Sequence, residues 1–159
     1  FFSGVATIVH KLFQQTSADC AIFGEKDYQQ LCVIRQMVKD MGVPIVIYGA
    51  PTLRETDGLA MSSRNIFLNE NQRQIAGKLN LFLKKFCQDI VNTEVYDKSI
   101  KGTINEILAA GFDEVDYLDV RTADTFSSET TTTTPRRALV VARLGGVRLL
   151  DNMPVPPLS

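Results

Sequence analysis

The first fifty residues alternate between helical and strand-like patterns of apolar positions. Apolar side chains at helical spacing predict an amphipathic helix over residues 4–16. The apolar run at 20–23 ends in Gly24 and is typical of a buried strand. A helix that Asp27 can cap follows, and then a second strand at 44–48. The predicted inner face of this second helix consists of Leu31, Ile34, Val38 and Met41. Helices alternating with strands in this order predict part of a parallel α/β sheet.

The pattern changes after residue 50. Residues 51–68 have the composition of a loop, and Asn69 and Gln72 have the spacing of a capping box. Helical periodicity then predicts one helix running to about residue 92 and another over 97–110. These helices have no strand between them, so they do not continue the alternating order of the first part.

The last third of the chain predicts a small antiparallel sheet. A strand is expected at 115–120, and two further apolar runs flank Gly145-Gly146, a pair that suits a primed hairpin turn. Together with the two preceding helices this makes an α+β unit. We therefore predict two domains, residues 1–52 and residues 53–159.

Composition narrows the classes of function. The 159 residues are 45% hydrophobic and 22% charged, with a net charge of −1, so nothing in the overall charge favours nucleic acid or an anionic membrane. The longest apolar runs are too short to span a bilayer. Cys20, Cys32 and Cys87 fit neither a disulfide framework nor a zinc pattern. We expect buried, reduced thiols and a cytoplasmic protein. Because the chain lacks an initiator methionine, we also expect it to be a fragment of a longer protein.

A cluster at the start of the second helix is the first candidate site. Lys26, Asp27 and Gln30 follow a predicted strand, where open parallel sheets bind ligands. Free N–H groups at a helix start favour an anion, and Lys26 adds positive charge. The alternative is that Asp27 and Gln30 form a capping box and that Lys26 is solvated. Spacing alone does not separate the two.

The segment that precedes Asn69 is the second candidate. Ser62, Ser63 and Arg64 offer two hydroxyls and a guanidinium, which are donors suited to phosphate oxygens. Gly58 is interpreted as giving this loop freedom to close over a ligand. The alternative is a plain polar loop before a helix.

Other polar residues point to no chemistry. His10 lies off the apolar stripe of its helix, and it has no Ser or Cys partner suggested by sequence. Acidic residues around the strand at 115–120 lack metal-ligand spacing with a histidine. Four arginines could form a basic face on the hairpin, although outward-facing charges on a sheet explain them equally well; they are Arg136, Arg137, Arg143 and Arg148.

Four segments in order resemble the pantothenate synthetase (pantoate–β-alanine ligase) family. They are Ser3 to Val9, Gly24 to Leu31, Arg54 with Asp57 to Asn65, and Leu150-Asp151-Asn152. The resemblance covers essentially the whole chain. It implies the carboxyl-terminal part of a Rossmann-like nucleotidyltransferase sheet followed by a small α+β domain. It also implies that ATP and pantoate give pantoyl adenylate, which β-alanine converts to pantothenate with release of AMP.

The resemblance also implies roles for particular residues. Gly24, Glu25, Lys26 and Asp27 would line the ATP site, Gln30 would bind pantoate, and Leu53 would contact the adenine through its backbone. Met61, Ser62, Ser63 and Arg64 would close on the nucleotide, and Lys26, Ser62, Ser63 and Arg64 would be catalytic. Mg²⁺ would accompany ATP, with no metal ligand assigned to this chain. The full-length protein would be a homodimer.

The segments that match correspond to the carboxyl-terminal part of the family's proteins. The amino-terminal half of those proteins, which holds a histidine-containing phosphate motif, has no counterpart among them. We therefore expect this chain alone to have little or no ligase activity. Two other functions stay open. One is a non-catalytic interaction or structural module, and the other is a different adenylylating nucleotidyltransferase.

Overall fold

A computed structural model describes residues 2–157, with the side chains of residues 2 and 3 left out of the description. The chain divides into two compact units between Thr52 and Leu53. Each unit has its own sheet, and the two sheets share no strand. We refer to them as unit 1 and unit 2. No helix among the described residues is both long and apolar enough to cross a membrane.

Unit 1 is a two-stranded parallel sheet with two helices. Its elements are α1 (Phe2–Thr16), β1 (Cys20–Gly24), a 3-10 turn (Glu25–Asp27), α2 (Tyr28–Asp40) and β2 (Val46–Ala50). The strands pair in register from Cys20 opposite Val46 to Gly24 opposite Ala50. The predicted order of helices and strands is confirmed, although β2 starts two residues later than expected.

The ends of α2 correct two expectations. Asp27 occupies the N-cap position, but its side chain makes no capping hydrogen bond, so neither the expected cap by Asp27 nor the alternative capping box with Gln30 forms. The helix ends at Asp40, and Gly42 reverses the chain with φ of 61°. Met41 therefore lies beyond the helix and is 55% exposed, whereas Leu31 and Ile34 are buried as predicted.

Helices pack on one face of this parallel sheet, and the other face is exposed. Helix α2 contacts both strands, and the Phe13 ring of α1 packs edge-to-face on Phe23 at 6.4 Å between ring centroids. The opposite face carries Ile22 and Tyr48, which are 69% and 54% exposed. Cys20 lies on this open face and is exposed, so the expectation of a buried thiol is wrong for Cys20 and correct for the other two cysteines.

Unit 2 packs three helices with an antiparallel sheet of order β3-β4-β5. Its elements are a 3-10 turn (Ser63–Phe67), α3 (Glu70–Ala76), α4 (Lys78–Asp89), α5 (Asp97–Ala109), β3 (Glu114–Thr122), β4 (Arg136–Leu144) and β5 (Val147–Pro154). The predicted hairpin is confirmed, and its two turn glycines have φ of 57° and 79°. The capping box of Asn69 and Gln72 is also confirmed.

One predicted helix is two. The periodic stretch that ran to about residue 92 divides at Gly77 into α3 and α4. Leu79, Leu83 and Phe86 of α4 are fully buried and pack with apolar residues of the sheet, including Val140. The apolar period continues across the break, which is why periodicity alone did not reveal it.

Two of the four arginines around the β4–β5 hairpin belong neither to a basic face nor to the outward-facing charges of the sheet, and they are Arg136 and Arg137. Arg136 is 3% exposed, and its guanidinium donates to the backbone carbonyl oxygens of Val91 and Thr93, both at 2.8 Å. It thereby satisfies acceptors just beyond the carboxyl end of α4. Arg137 is also buried, and it donates to Asn152 Oδ1 at 2.6 Å. Their positive charges are used inside the unit rather than on its surface.

Candidate functional site

The first candidate cluster lies at the carboxyl end of the parallel sheet. Gly24 ends β1, and the 3-10 turn that carries Lys26 leads directly into α2. Gly24 pairs with Ala50, the last residue of β2, so both strands end at this edge. Open parallel sheets bind ligands at such an edge. Gly24, Glu25, Lys26 and Asp27 follow one another at this edge, and Gln30 lies in the first turn of α2.

Glu25 within this cluster packs back onto the sheet. A Cβ built on Gly49 would lie 3.0 Å from Glu25 Oε1 and 3.1 Å from a methyl group of Leu31. Gly49 of β2 therefore leaves room for the Glu25 carboxylate to approach the strand backbone. Lys26 and Gln30 are half-buried and Asp27 is exposed, so this edge of unit 1 presents both charge and amide groups.

The second candidate begins with a short hairpin rather than an open loop. Arg54 and Ala60 form an antiparallel bridge, Met61 N–H donates to Leu53 O at 2.9 Å, and Glu55 N–H donates to Leu59 O at 2.8 Å. Leu53 has a 73% exposed side chain, while its carbonyl oxygen already accepts from Met61. Its contact with adenine stays a prediction.

The Met61–Arg64 segment follows this hairpin. Met61, Ser63 and Arg64 are exposed, and Ser62 is half-buried. Ser62 caps the 3-10 turn, because its Oγ accepts from Arg64 N–H at 3.3 Å and its carbonyl oxygen accepts from Asn65 N–H at 3.0 Å. Ser63 and Arg64 therefore stand at the surface of unit 2 on an ordered turn.

Sequence reasoning gave no role to the ion pair that holds this hairpin. Arg54 donates through both terminal nitrogens to Asp151 of β5, at 2.7 and 2.8 Å. Asp151 is 4% exposed and lies on the inward side of its strand with Val147 and Leu149. A carboxylate at an inward strand position requires a cation, and this was the signal available in the sequence.

A second ion pair holds the tip of the short hairpin at residues 53–61. Both carboxylate oxygens of Asp57 accept from the Arg73 guanidinium of α3, one of them at 3.0 Å. The hydrogen bond from Arg73 lowers the pKa of Asp57, and the same contact raises the pKa of Arg73. Both side chains are therefore charged at neutral pH.

Two glycines allow the hairpin to lie close to the helices. Gly58 has φ of 90°, and a Cβ there would lie 3.0 Å from Asn80 Oδ1. A Cβ on Gly77 would meet the Asp57 carboxylate, with the Cγ atom 2.9 Å away. The interpretation of Gly58 as a source of loop freedom is therefore corrected, because it occupies a left-handed turn packed against α4.

The remaining candidates contribute little. Among residues 2–157 no three His, Cys, Asp or Glu side chains are grouped to hold a metal ion. His10 is half-buried. Asp116 is paired with Arg143 and Arg148, which lower its pKa, so both arginines take part in ion pairs on the sheet surface.

The fold and these segments define an α/β protein with polar residues at the carboxyl end of a parallel sheet and an ordered Ser-Ser-Arg turn in an α+β unit. The chain belongs to the pantoate-beta-alanine ligase family, whose model matches residues 1–154. It is 45% identical over 162 aligned residues to the pantothenate synthetase of Mesorhizobium japonicum, covering 98% of this chain and 55% of that protein.

Solved structures agree with this membership. The pantothenate synthetase of Thermus thermophilus is 38% identical, with a TM-score of 0.81 over 97% of this chain and 56% of that one. The pantoate-beta-alanine ligase of Francisella tularensis, solved in complex with beta-gamma ATP and beta-alanine, is 31% identical, with a TM-score of 0.69 over 96% of this chain and 49% of that one. The chain thus spans about half the length of the relatives it matches.

Proposed function

We propose that this chain is part of a pantoate–β-alanine ligase that condenses pantoate and β-alanine through a pantoyl-adenylate intermediate. The observation that carries the proposal is the position of the Lys26 cluster at the carboxyl end of β1 in a member of this family. The relative from Francisella tularensis was solved with beta-gamma ATP and beta-alanine, which supports a nucleotide and an amine as two of the substrates.

In this reaction the residues of this chain would stabilise the negative charge that develops on the phosphate oxygens. Attack of the pantoate carboxylate on the α-phosphorus forms the acyl–phosphate bond and breaks the bond to pyrophosphate, so negative charge grows on the departing oxygens. Lys26 and Arg64 would each stabilise that charge, with hydroxyl donors from Ser62 and Ser63. The β-alanine amine then attacks the activated carbonyl and AMP leaves, so no protein nucleophile is required.

The other assignments keep their origin in the family resemblance. Gly24, Glu25 and Asp27 would line the nucleotide site, Gln30 would bind pantoate, and Leu53 and Met61 would contact the nucleotide. Mg²⁺ would accompany ATP, although the described residues offer it no cluster of ligands. Unit 1 would be the last part of a Rossmann-like domain and unit 2 the small carboxyl-terminal domain. The full-length protein would be a cytoplasmic homodimer that binds neither nucleic acid nor membrane.

Pantoate-dependent exchange of labelled pyrophosphate into ATP tests the adenylation step in the full-length protein that contains this chain. Lys26→Ala and Arg64→Ala should each lower the exchange rate by about 100-fold or more, by analogy with the loss of single charge-stabilising donors. Lys39→Ala, in the last turn of α2, is the matched control and should leave the rate unchanged. Equal exchange by the two site variants and the control would contradict the assigned roles.

Two further outcomes separate the alternatives. Exchange that depends on an acid other than pantoate would assign the protein to another adenylylating nucleotidyltransferase. The chain alone should form little or no AMP from ATP, pantoate and β-alanine, since it spans about half the length of its relatives. Robust AMP formation by the purified chain would refute that expectation, while absence of exchange in the full-length protein would favour the non-catalytic module.

A further inference from the structure

Arg54 makes three contacts that tie different parts of unit 2 together. Its two terminal nitrogens grip both oxygens of the buried Asp151 on β5, and one of them also donates to Gly58 O at 3.0 Å. Asn80 of α4 approaches the same carboxylate at 3.5 Å. One guanidinium therefore joins the first strand of the short hairpin, its tip and the central sheet. A bidentate arginine–carboxylate pair fixes orientation as well as distance.

The tip of the hairpin is fixed independently. Asp57 is paired with Arg73 of α3, and its Oδ1 accepts from Leu59 N–H at 3.1 Å. A Cβ at Gly58 would crowd the Asn80 side chain, and a Cβ at Gly77 would require the Asp57 carboxylate to shift. The hairpin is therefore held against the α3–α4 junction by charge and by backbone contact.

Both ends of the Met61–Arg64 segment depend on this hairpin. At the start, Met61 N–H is bonded to Leu53 O beside the bridge of Arg54 to Ala60. At the end, the side-chain Nδ2 of the buried Asn65 donates to Ala60 O at 3.2 Å. A displacement of Arg54 would therefore move the whole segment, although Arg54 itself precedes the exposed Ser63 by nine positions.

We propose that Arg54 and Asp151 form a positioning pair that holds the Met61–Arg64 segment in the geometry required for the nucleotide. This inference rests on the proposed function for its catalytic consequence, because it deepens the role of that segment. Neither residue is assigned a contact with substrate. Misplacement of a binding group by about 1 Å can cost about 100-fold in rate, which is the scale of effect expected.

The first test is kinetic and uses the full-length protein in the pyrophosphate exchange assay. Arg54→Ala should lower the exchange rate by about 10- to 100-fold and raise KM for ATP, with KM for pantoate unchanged within about twofold. Arg54→Lys should recover part of the rate, because it restores one of the two contacts to Asp151. A double variant with Asp151→Asn should lose little more than the single variants, since each removes the same interaction.

The matched control is Arg148→Ala. Arg148 is an exposed arginine on β5, the strand that also carries Asp151, and it pairs with the surface Asp116 instead. Its loss should leave the rate and both KM values unchanged. If Arg54→Ala behaved like Arg148→Ala in an active protein, or if KM for pantoate rose as much as KM for ATP, the positioning role would be overturned.

Limited trypsin cleavage is a second test that does not depend on enzyme activity. It therefore distinguishes failure of the positioning pair from failure of the proposed ligase function. Trypsin cleavage after Arg64 requires local opening, because Asn65 on the far side of that bond is buried. In this chain, Arg54→Ala should speed cleavage there by about tenfold or more relative to Arg148→Ala, at matched circular dichroism. If wild-type exchange is absent but cleavage is accelerated, the proposed function fails and the positioning pair stands. Unaltered cleavage after Arg64 would overturn the pair whether or not the enzyme is active.

Discussion

The two compact units differ in how completely they cover their sheets. In unit 2 the central strand β4 is paired on both edges and contacted by α4, and eight of its nine residues are buried. In unit 1 the helices cover one face of a two-stranded sheet. On the other face Ile22, Val46 and Tyr48 are exposed by 69%, 54% and 54%.

This difference follows from the type of sheet. Parallel sheets occur almost only with both faces covered, whereas antiparallel sheets commonly leave one face in water. The described residues of unit 1 supply cover for a single face, so its apolar strands gain only part of the stabilisation that their composition offers. Unit 2 meets its requirement with its own helices. We therefore expect unit 1 to be the less stable of the two.

Truncating matched apolar residues should show the contrast most strongly. Leu83→Ala in α4 should lower the free energy of unfolding of unit 2 by about 2–5 kcal/mol, because Leu83 is 1% exposed and leaves a cavity. Leu81→Ala in the same helix is the control, and Ile22→Ala is the counterpart in unit 1. Both side chains are more than 60% exposed, and each change should cost within about 0.5 kcal/mol.

Urea titrations followed by backbone NMR would report the two units separately. If Ile22→Ala cost as much as Leu83→Ala, the open face would have to be covered in solution, and the comparison between the units would fail.

Local chemistry was predictable, and long-range pairing was not. The capping box of Asn69 and Gln72 and the turn at Gly145-Gly146 depend on residues within a few positions of one another, and both were predicted. Arg54 and Asp151 are 97 positions apart, and spacing carries no information about such a pair. Alternation along β5 indicates that Asp151 faces inward and needs a cation, but only the assembled unit decides that Arg54 is that cation.

Exposure was the least predictable property, for a related reason. Cys20 lies on a strand-like run, and burial was expected because parallel strands are covered on both faces. Arg136 was expected outside because of its charge, yet carbonyl groups beyond α4 create an interior site for a guanidinium. Among the candidate site residues, the placement of Lys26 at a strand end followed from local pattern, whereas the packed position of Gly58 depended on Asn80.

The cysteines offer a chemical probe of the same contrast. Cys20 lies on the open face of unit 1, while Cys87 of unit 2 is buried and its pKa is raised to about 12, chiefly by burial. At neutral pH a disulfide reagent should label Cys20 at least about 100-fold faster than Cys87 or the buried Cys32, because the thiolate is the reactive species. Stopped-flow labelling with and without denaturant measures the ratio.

Cys20→Ser is the control for this experiment and should abolish the fast phase. Slow labelling of Cys20 that accelerates on dilution would show that a second copy of the chain covers the open face. In that case unit 1 would be complete only as an oligomer.

The smallest expected effect is the pH dependence of the Asp57–Arg73 ion pair, which holds the tip of the short hairpin at residues 53–61. The Arg73 hydrogen bond lowers the pKa of Asp57 below its ordinary value. The ionised carboxyl therefore stabilises the folded state above the ordinary pKa of the unfolded chain, and the contribution is lost as the pH falls through the lower, folded pKa. Asp57→Asn should remove this part of the acid sensitivity of unit 2 and leave unit 1 unchanged. Asp97→Asn, at the exposed start of α5, is the control and should leave the acid sensitivity of unit 2 as it is.

The effect of Asp57→Asn should be modest and decrease with added salt, since the Asp57 side chain is 39% exposed. Urea midpoints at about pH 6 and about pH 3 measure it, and an Asp57→Asn profile that parallels the wild type would show that the ion pair adds nothing to the stability of unit 2.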